Sequence, residues 1–100
     1  MTYRVIYSDA FRERIKAHVD YLATERVSDE MISTWYDRLL LLLDSLDDLP
    51  KRFPVDESMS DETGLLTRKL NYGNYLVFYT VNDGDRTVSI VEFMHGAKRK

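Results

Sequence analysis

This sequence predicts an α+β fold of order β-α-α-β-β-β: a small antiparallel sheet with a helical hairpin packed on one face. Two apolar stripes at helical spacing between residues 9 and 49 supply the hairpin. Three runs rich in β-branched and aromatic residues between 65 and 94, with turn compositions between them, supply the sheet. A short β-rich run at the start adds a fourth strand.

That opening run is Tyr3-Arg4-Val5-Ile6-Tyr7, with Tyr3, Val5 and Tyr7 on one side. Ser8 and Asp9 are start signals for a helix. Phe11, Ile15, Val19 and Leu22 then recur as one helical stripe, with Arg12, Glu13, Arg14, Lys16 and Asp20 around it. Ser28 and Asp29 start a second helix. Its stripe of Ile32, Trp35, Leu39, Leu42, Leu46 and Leu49 runs to Pro50, which ends it. So short a link between the two makes them an antiparallel pair. Residues 50–64 carry two prolines and an acidic cluster without periodicity, and read as a loop. Strands follow at about 65–70, 74–82 and 86–94, joined by Asn71-Tyr72-Gly73 and Asn82-Asp83-Gly84-Asp85. Turns this short make the three a meander, with the opening strand added to the same sheet.

One hundred residues correspond to one domain, taken as 1–100, long enough to bury a core. The absence of cysteine excludes disulfides and thiolate metal sites and suits a reducing compartment. The leucine run Leu39–Leu43 is far short of the roughly 20 apolar residues of a membrane span. No signal-peptide pattern opens the chain. A cytoplasmic protein is expected, without membrane, metal or cofactor. Charge is divided unevenly. Residues 1–64 hold 8 Lys/Arg against 14 Asp/Glu, and residues 65–100 hold 6 against 3. The sheet end is basic, but a pI near 5.3 argues against life as a non-specific nucleic-acid binder.

Several motifs in this order resemble the RelE/ParE superfamily of bacterial type II toxins. They are the opening strand ending Tyr7-Ser8, the segment Ser45–Pro50, Arg68-Lys69-Leu70, Gly73-Asn74-Tyr75-Leu76-Val77-Phe78-Tyr79, and His95-Gly96-Ala97-Lys98-Arg99. The resemblance covers nearly the whole chain. It implies the toxin of a toxin–antitoxin (plasmid stabilisation) system, neutralised by a cognate antitoxin protein. ParE-like members poison DNA gyrase by binding; RelE-like members cleave mRNA on the ribosome. The ending His-Gly-Ala-Lys-Arg looks ParE-like, and no tyrosine follows Tyr79, a departure from the RelE-like nucleases. Gyrase poisoning is therefore the first expectation. A ribosome-dependent mRNA endoribonuclease is the alternative, and an inactive relative kept as an interaction module is the third.

The candidate site residues follow from these readings. Arg68 could anchor a phosphate or carboxylate through a two-pronged hydrogen bond; it could equally be a strand cation with a structural partner. His95 could move a proton; it could equally cap a strand against the backbone. In the nuclease alternative Arg68 and His95 are the catalytic pair. Arg68, Lys98 and Arg99 are the target-binding candidates, although chain ends also fray. His18 has no second ligand at a useful offset and is read as a surface or helix-flank residue. Leu40 and Leu41 point away from the second helix's seam. With Tyr36 they form a candidate antitoxin-docking stripe, unless the 50–64 loop folds back over them.

Overall fold

In the computed structural model, which describes residues 2–96, two serines start the two long helices by the same chemistry. Ser8 and Ser28 both have extended backbones, and each side chain accepts a hydrogen bond from the amide three residues on. Helix α1 (Asp9–Thr24) and helix α2 (Asp29–Asp44) result, each with an acidic residue in its first turn, where the helix dipole favours it. Between them the chain turns sharply. Arg26 takes a left-handed conformation at φ 64°, and the amides of Arg26 and Val27 bond back to the carbonyls of Ala23 and Leu22. Those bonds satisfy carbonyls that the end of α1 leaves open.

The sheet has four strands: β1 (Arg4–Tyr7), β2 (Thr67–Tyr72), β3 (Tyr75–Asn82) and β4 (Thr87–His95). Strands β2, β3 and β4 form the expected antiparallel meander, with Gly73 at φ 59° in the first turn. The spatial order is β1-β4-β3-β2. β1 joins the sheet as expected but runs parallel to β4, so the sheet is mixed rather than wholly antiparallel. The parallel direction sets Ser8 beside the middle of β4, where its amide donates to the Ile90 carbonyl at 2.9 Å. From there α1 lies back along the sheet and packs on β4.

β4 carries one extra residue at that point. Phe78 pairs with Glu92 and Tyr79 with Ile90, which leaves Val91 as a bulge. The Val91 carbonyl accepts a hydrogen bond from the Ser8 hydroxyl at 3.1 Å. Ser8 therefore caps α1 and pins it to the bulge.

Phe11, Ile15, Leu39, Leu43 and Leu46 from the helical segments pack against Leu70, Val77, Tyr79, Val88, Ile90 and Phe93 from the sheet. Three boundaries differ from expectation. α2 ends at Asp44 and a 3₁₀ turn, Ser45–Asp47, follows. That tighter winding keeps Leu46 in the core but leaves Leu49 57% exposed. β2 begins at Thr67, so Leu65 and Leu66 are exposed in the link. The 50–64 segment is not all loop: it contains a third helix, α3 (Glu57–Thr63). Asp56 caps its start through the Met59 amide, and Gly64 at φ 76° closes its end.

α3 packs on β2 from the other face of the sheet. Its Ser60 and Thr63 hydroxyls bond to Thr67, and Asp56 pairs with Lys69 at 3.7 Å. Thr67 and Lys69 share that face with the fully buried Phe78. Just before α3, Asp56 N bonds to Thr67 O and Lys69 N to Pro54 O, covering the edge of β2.

Losing Ser8 should cost more than losing a simple helix cap. Ser8→Ala is expected to lower stability by about 1–2 kcal/mol and Ser28→Ala by about half of that. Urea unfolding of the two variants measures the difference; equal losses would show that the bulge contact contributes nothing.

Candidate partner-binding groove

α1 packs on β4 more closely than on α2, and α2 reaches the core through Leu39 and Leu43. Between the two helices lies a groove of about 660 Å³. Phe11, Ile15 and Val19 form one wall, Ile32, Tyr36 and Leu40 the other, and Tyr7 closes one end. The Tyr7 hydroxyl donates to Asp44 Oδ1 at 2.5 Å. Burial first, then that carboxylate, pushes the Tyr7 hydroxyl well above its ordinary pKa. The neutral phenol thus ties β1 to the end of α2.

Two of the three residues expected to form a docking stripe come together here. Tyr36 is 36% exposed and Leu40 is half-buried, both on the groove wall. Leu41 is 74% exposed and is not among the lining residues. The 50–64 segment does not fold back over them, because its helix is committed to the opposite face of the sheet.

The cationic end of the sheet is built differently. Arg68 stands opposite Tyr79 on the helix-facing side of β2. Its Nη1 donates to the carbonyls of Phe53 at 2.7 Å and Lys51 at 3.1 Å. The buried Tyr79 hydroxyl donates to the Pro50 carbonyl at 2.7 Å. Two side chains thus hold three carbonyls of the Pro50–Phe53 link, which leads from α2 toward α3. Nearby, Asp83 accepts from Lys51 Nζ at 2.6 Å and from the Tyr3 hydroxyl at 2.7 Å. Those two bonds, that of Lys51 first, pull the Asp83 carboxyl below its usual pKa. Arg86 lies over the Tyr3 ring.

His95 lies at the other end of the same sheet face, opposite Tyr75, with its ring edge-on at 5.3 Å. Arg68 pairs with Tyr79 and His95 with Tyr75, four residues apart on β3. At about 3.3 Å per residue, that is a separation of about 13 Å along the strand. The structure does not bring Arg68 and His95 into one cleft. Lys98 and Arg99 lie outside the described residues. The amide of Gly96 donates to the Asn74 carbonyl at 2.7 Å, and a Cβ there would stand 3.0 Å from that oxygen, so the close approach suits glycine.

His18, expected at the surface or on a helix flank, is not exposed. It is half-buried among Tyr21, Trp35, Tyr75 and Phe93, and shares a 2.9 Å hydrogen bond with the Tyr75 hydroxyl. The signal was present in the spacing: Phe11, Ile15, His18 and Leu22 step by four, three and four, which puts His18 on the buried stripe. Tyr72 is explained by the same region, since its hydroxyl donates to the Trp35 carbonyl at 2.7 Å.

The family profile described as "ParE toxin of type II toxin-antitoxin system, parDE" matches residues 5–99. The chain belongs to this ParE toxin family. It is a toxin of a type II toxin–antitoxin system. Two solved structures share its fold. The RelBE2 toxin–antitoxin complex of Mycobacterium tuberculosis contains a chain with 16% identity and a TM-score of 0.61, the match covering 95% of this chain and 99% of that one. The archaeal RelE–RelB complex of Pyrococcus horikoshii OT3 contains one with 19% identity and a TM-score of 0.57, covering 98% and 99%. No curated protein sequence matches significantly. Among the described residues of the toxin, no helix is long and apolar enough to cross a membrane.

Two predictions follow from the side chains that hold this toxin together. Arg68→Ala removes charge-assisted bonds to two carbonyls and should lower stability by about 1.5–3 kcal/mol, measured by urea unfolding. Tyr3, Tyr7, Tyr72, Tyr75 and Tyr79 all have raised pKa values, through burial in every case but Tyr3, where the bond to Asp83 leads. A raised pKa means that folding favours the neutral phenol. The stability this contributes is complete below the unfolded tyrosine value of about 10 and is lost as pH rises above it. Unfolding midpoints should therefore fall from about pH 10 upward. Tyrosinate absorbance of the folded toxin should lag behind that of the urea-unfolded chain; titration curves that coincide would contradict this.

Proposed function

We propose that this toxin acts by binding and poisoning DNA gyrase in the cytoplasm, and that a cognate antitoxin silences it by seating a helix in the groove between α1 and α2. The membership in the ParE family supports the target. The observation that carries the choice of mechanism is the separation of Arg68 from His95. A nuclease would need them around one phosphate, whereas here they sit at opposite ends of the sheet face and Arg68 is bonded to backbone carbonyls. Lys98 and Arg99, three and four residues beyond the end of the last strand in sequence, remain the candidates for target contact, with Arg68 in a supporting role through the loop it holds.

The antitoxin half of the reading rests on the groove. One structural relative is described as a toxin–antitoxin complex and the other as a RelE–RelB complex. An open apolar groove walled by Tyr36 and Leu40 is the kind of surface that receives an amphipathic helix. Leu41, exposed on the same helix but outside the groove lining, would touch only a partner that extends beyond the groove.

The purified toxin is expected to inhibit gyrase supercoiling in vitro and to leave mRNA on translating ribosomes uncut. mRNA cleavage lost in His95→Ala, with supercoiling intact, would establish the nuclease alternative instead. No growth arrest on induction, with neither activity, would mark an inactive relative. Tyr36→Asp with Leu40→Asp is expected to weaken binding of the antitoxin encoded beside the toxin by at least about 100-fold, since apolar anchors dominate such interfaces. Calorimetry with the co-expressed partner reads this directly, and unchanged affinity would place the partner elsewhere.

A further inference from the structure

The groove is apolar inside, but its rim is charged in an ordered way. Arg12 and Lys16 line the end near Tyr7, and Asp20 and Asp29 line the end near the turn between the helices. Arg12, Lys16 and Asp20 are spaced by four residues on α1, so they form one row along the rim. Arg12 and Asp20 are eight residues apart, about 12 Å along the helix axis. Asp29 starts α2 and follows the short 25–28 link, which places a second carboxylate at the same end as Asp20. None of the four is in an ion pair among the described residues, where pairs join Arg14 to Glu92, Lys51 to Asp83 and Lys69 to Asp56. Arg12 Nε donates to the Tyr7 carbonyl at 3.3 Å, which directs its guanidinium to the cationic end. Asp44 is close to that end, but its oxygen accepts the Tyr7 hydroxyl.

We infer that the groove selects its occupant by this gradient. It takes a partner's amphipathic helix whose apolar stripe enters between α1 and α2, and whose polar flank is acidic beside Arg12 and Lys16 and basic beside Asp20 and Asp29. This rests on the antitoxin-docking reading and adds the chemistry that distinguishes a cognate segment from another of equal hydrophobicity. A uniformly acidic helix would meet the two carboxylates, and a uniformly basic one the two cations. Like-charge contacts of that kind reject wrong partners more effectively than matched pairs reward right ones. The apolar wall from Phe11 to Ala23 is about 18 Å long, which suits a segment of about 12 residues.

Three synthetic helical peptides test this on the full chain by fluorescence anisotropy. They share one apolar stripe. Their flanks are glutamate in one half and lysine in the other, all glutamate, or all lysine. Because a helix can enter in either direction, the comparison is between graded and uniform flanks, not between the two graded orders. At low salt the graded peptide is expected to bind about tenfold tighter than either uniform one, and the advantage is expected to shrink at high salt as the charges are screened. In Asp20→Lys with Asp29→Lys the all-glutamate peptide is expected to become the tightest. Asp20→Lys alone, which leaves the first turn of α2 intact, should shift the ranking in the same direction. Circular dichroism confirms that each variant is folded.

An unchanged ranking in the charge variants overturns the gradient while leaving the groove as a docking site. Binding that survives Tyr36→Asp with Leu40→Asp, or no binding of any peptide, overturns the docking reading itself. Self-association of the toxin that Asp20→Lys dissociates would show that a second copy, not a partner helix, occupies the groove, and would overturn the inference as stated.

Discussion

The fold depends on where α1 begins, and a single hydroxyl decides that. Ser8 accepts the Phe11 amide, donates to the Val91 carbonyl, and through its own amide bonds Ile90. The Val91 carbonyl can take part because β4 has one residue more than β3 needs at that point. A regular ladder would turn that carbonyl to a neighbouring strand. The bulge therefore supplies the anchor, the anchor aligns β1 in parallel with β4, and the parallel strand sends α1 back across the sheet over Phe93 and Ile90.

With α1 held over β4, α2 covers the rest of the apolar face. Leu39, Leu43 and Leu46 are fully buried there. α1 packs on β4 and α2 inserts Leu39 and Leu43 into the core, and a strip of apolar surface remains between the two helices. Ile32 and Tyr36 on one side and Phe11, Ile15 and Val19 on the other line the groove, so Phe11 and Ile15 serve both the core and the groove. The groove is thus a consequence of how the core divides the available apolar surface. An interaction site made in this way needs no residues beyond those that build the fold, and only the charges on its rim are left to distinguish one partner from another.

The cations at the sheet end show the opposite economy. Arg68 attracts attention as an isolated guanidinium between leucines, yet its bonds to Phe53 and Lys51 hold the link that leads to α3. The link seats Pro50 and Phe53 against the fold, and the carbonyl clamps from Arg68 and Tyr79 add to those contacts. Any loss of toxicity on replacing Arg68 has to be separated from the loosening of that link. His18 shows a converse case: a polar ring stays in an aromatic cluster because Tyr75 offers it a hydrogen bond.

The sequence by itself determined the class of the fold, the two capped helices, the meander and the family, because these rest on local patterns: serine caps, apolar spacing, turn residues and short motifs in order. It did not show α3, whose seven residues contain a single buried apolar side chain, Met59, too little for a period to be visible, although Asp56 and Gly64 marked its ends. Only the tertiary structure decided that β1 runs parallel to β4, that Arg68 serves the link, that His18 lies inside an aromatic cluster, and that Tyr36 and Leu40, but not Leu41, share a groove. Each of these depends on which groups meet across the fold, between residues far apart in the chain, and such meetings are set by competition for the one apolar face of the sheet.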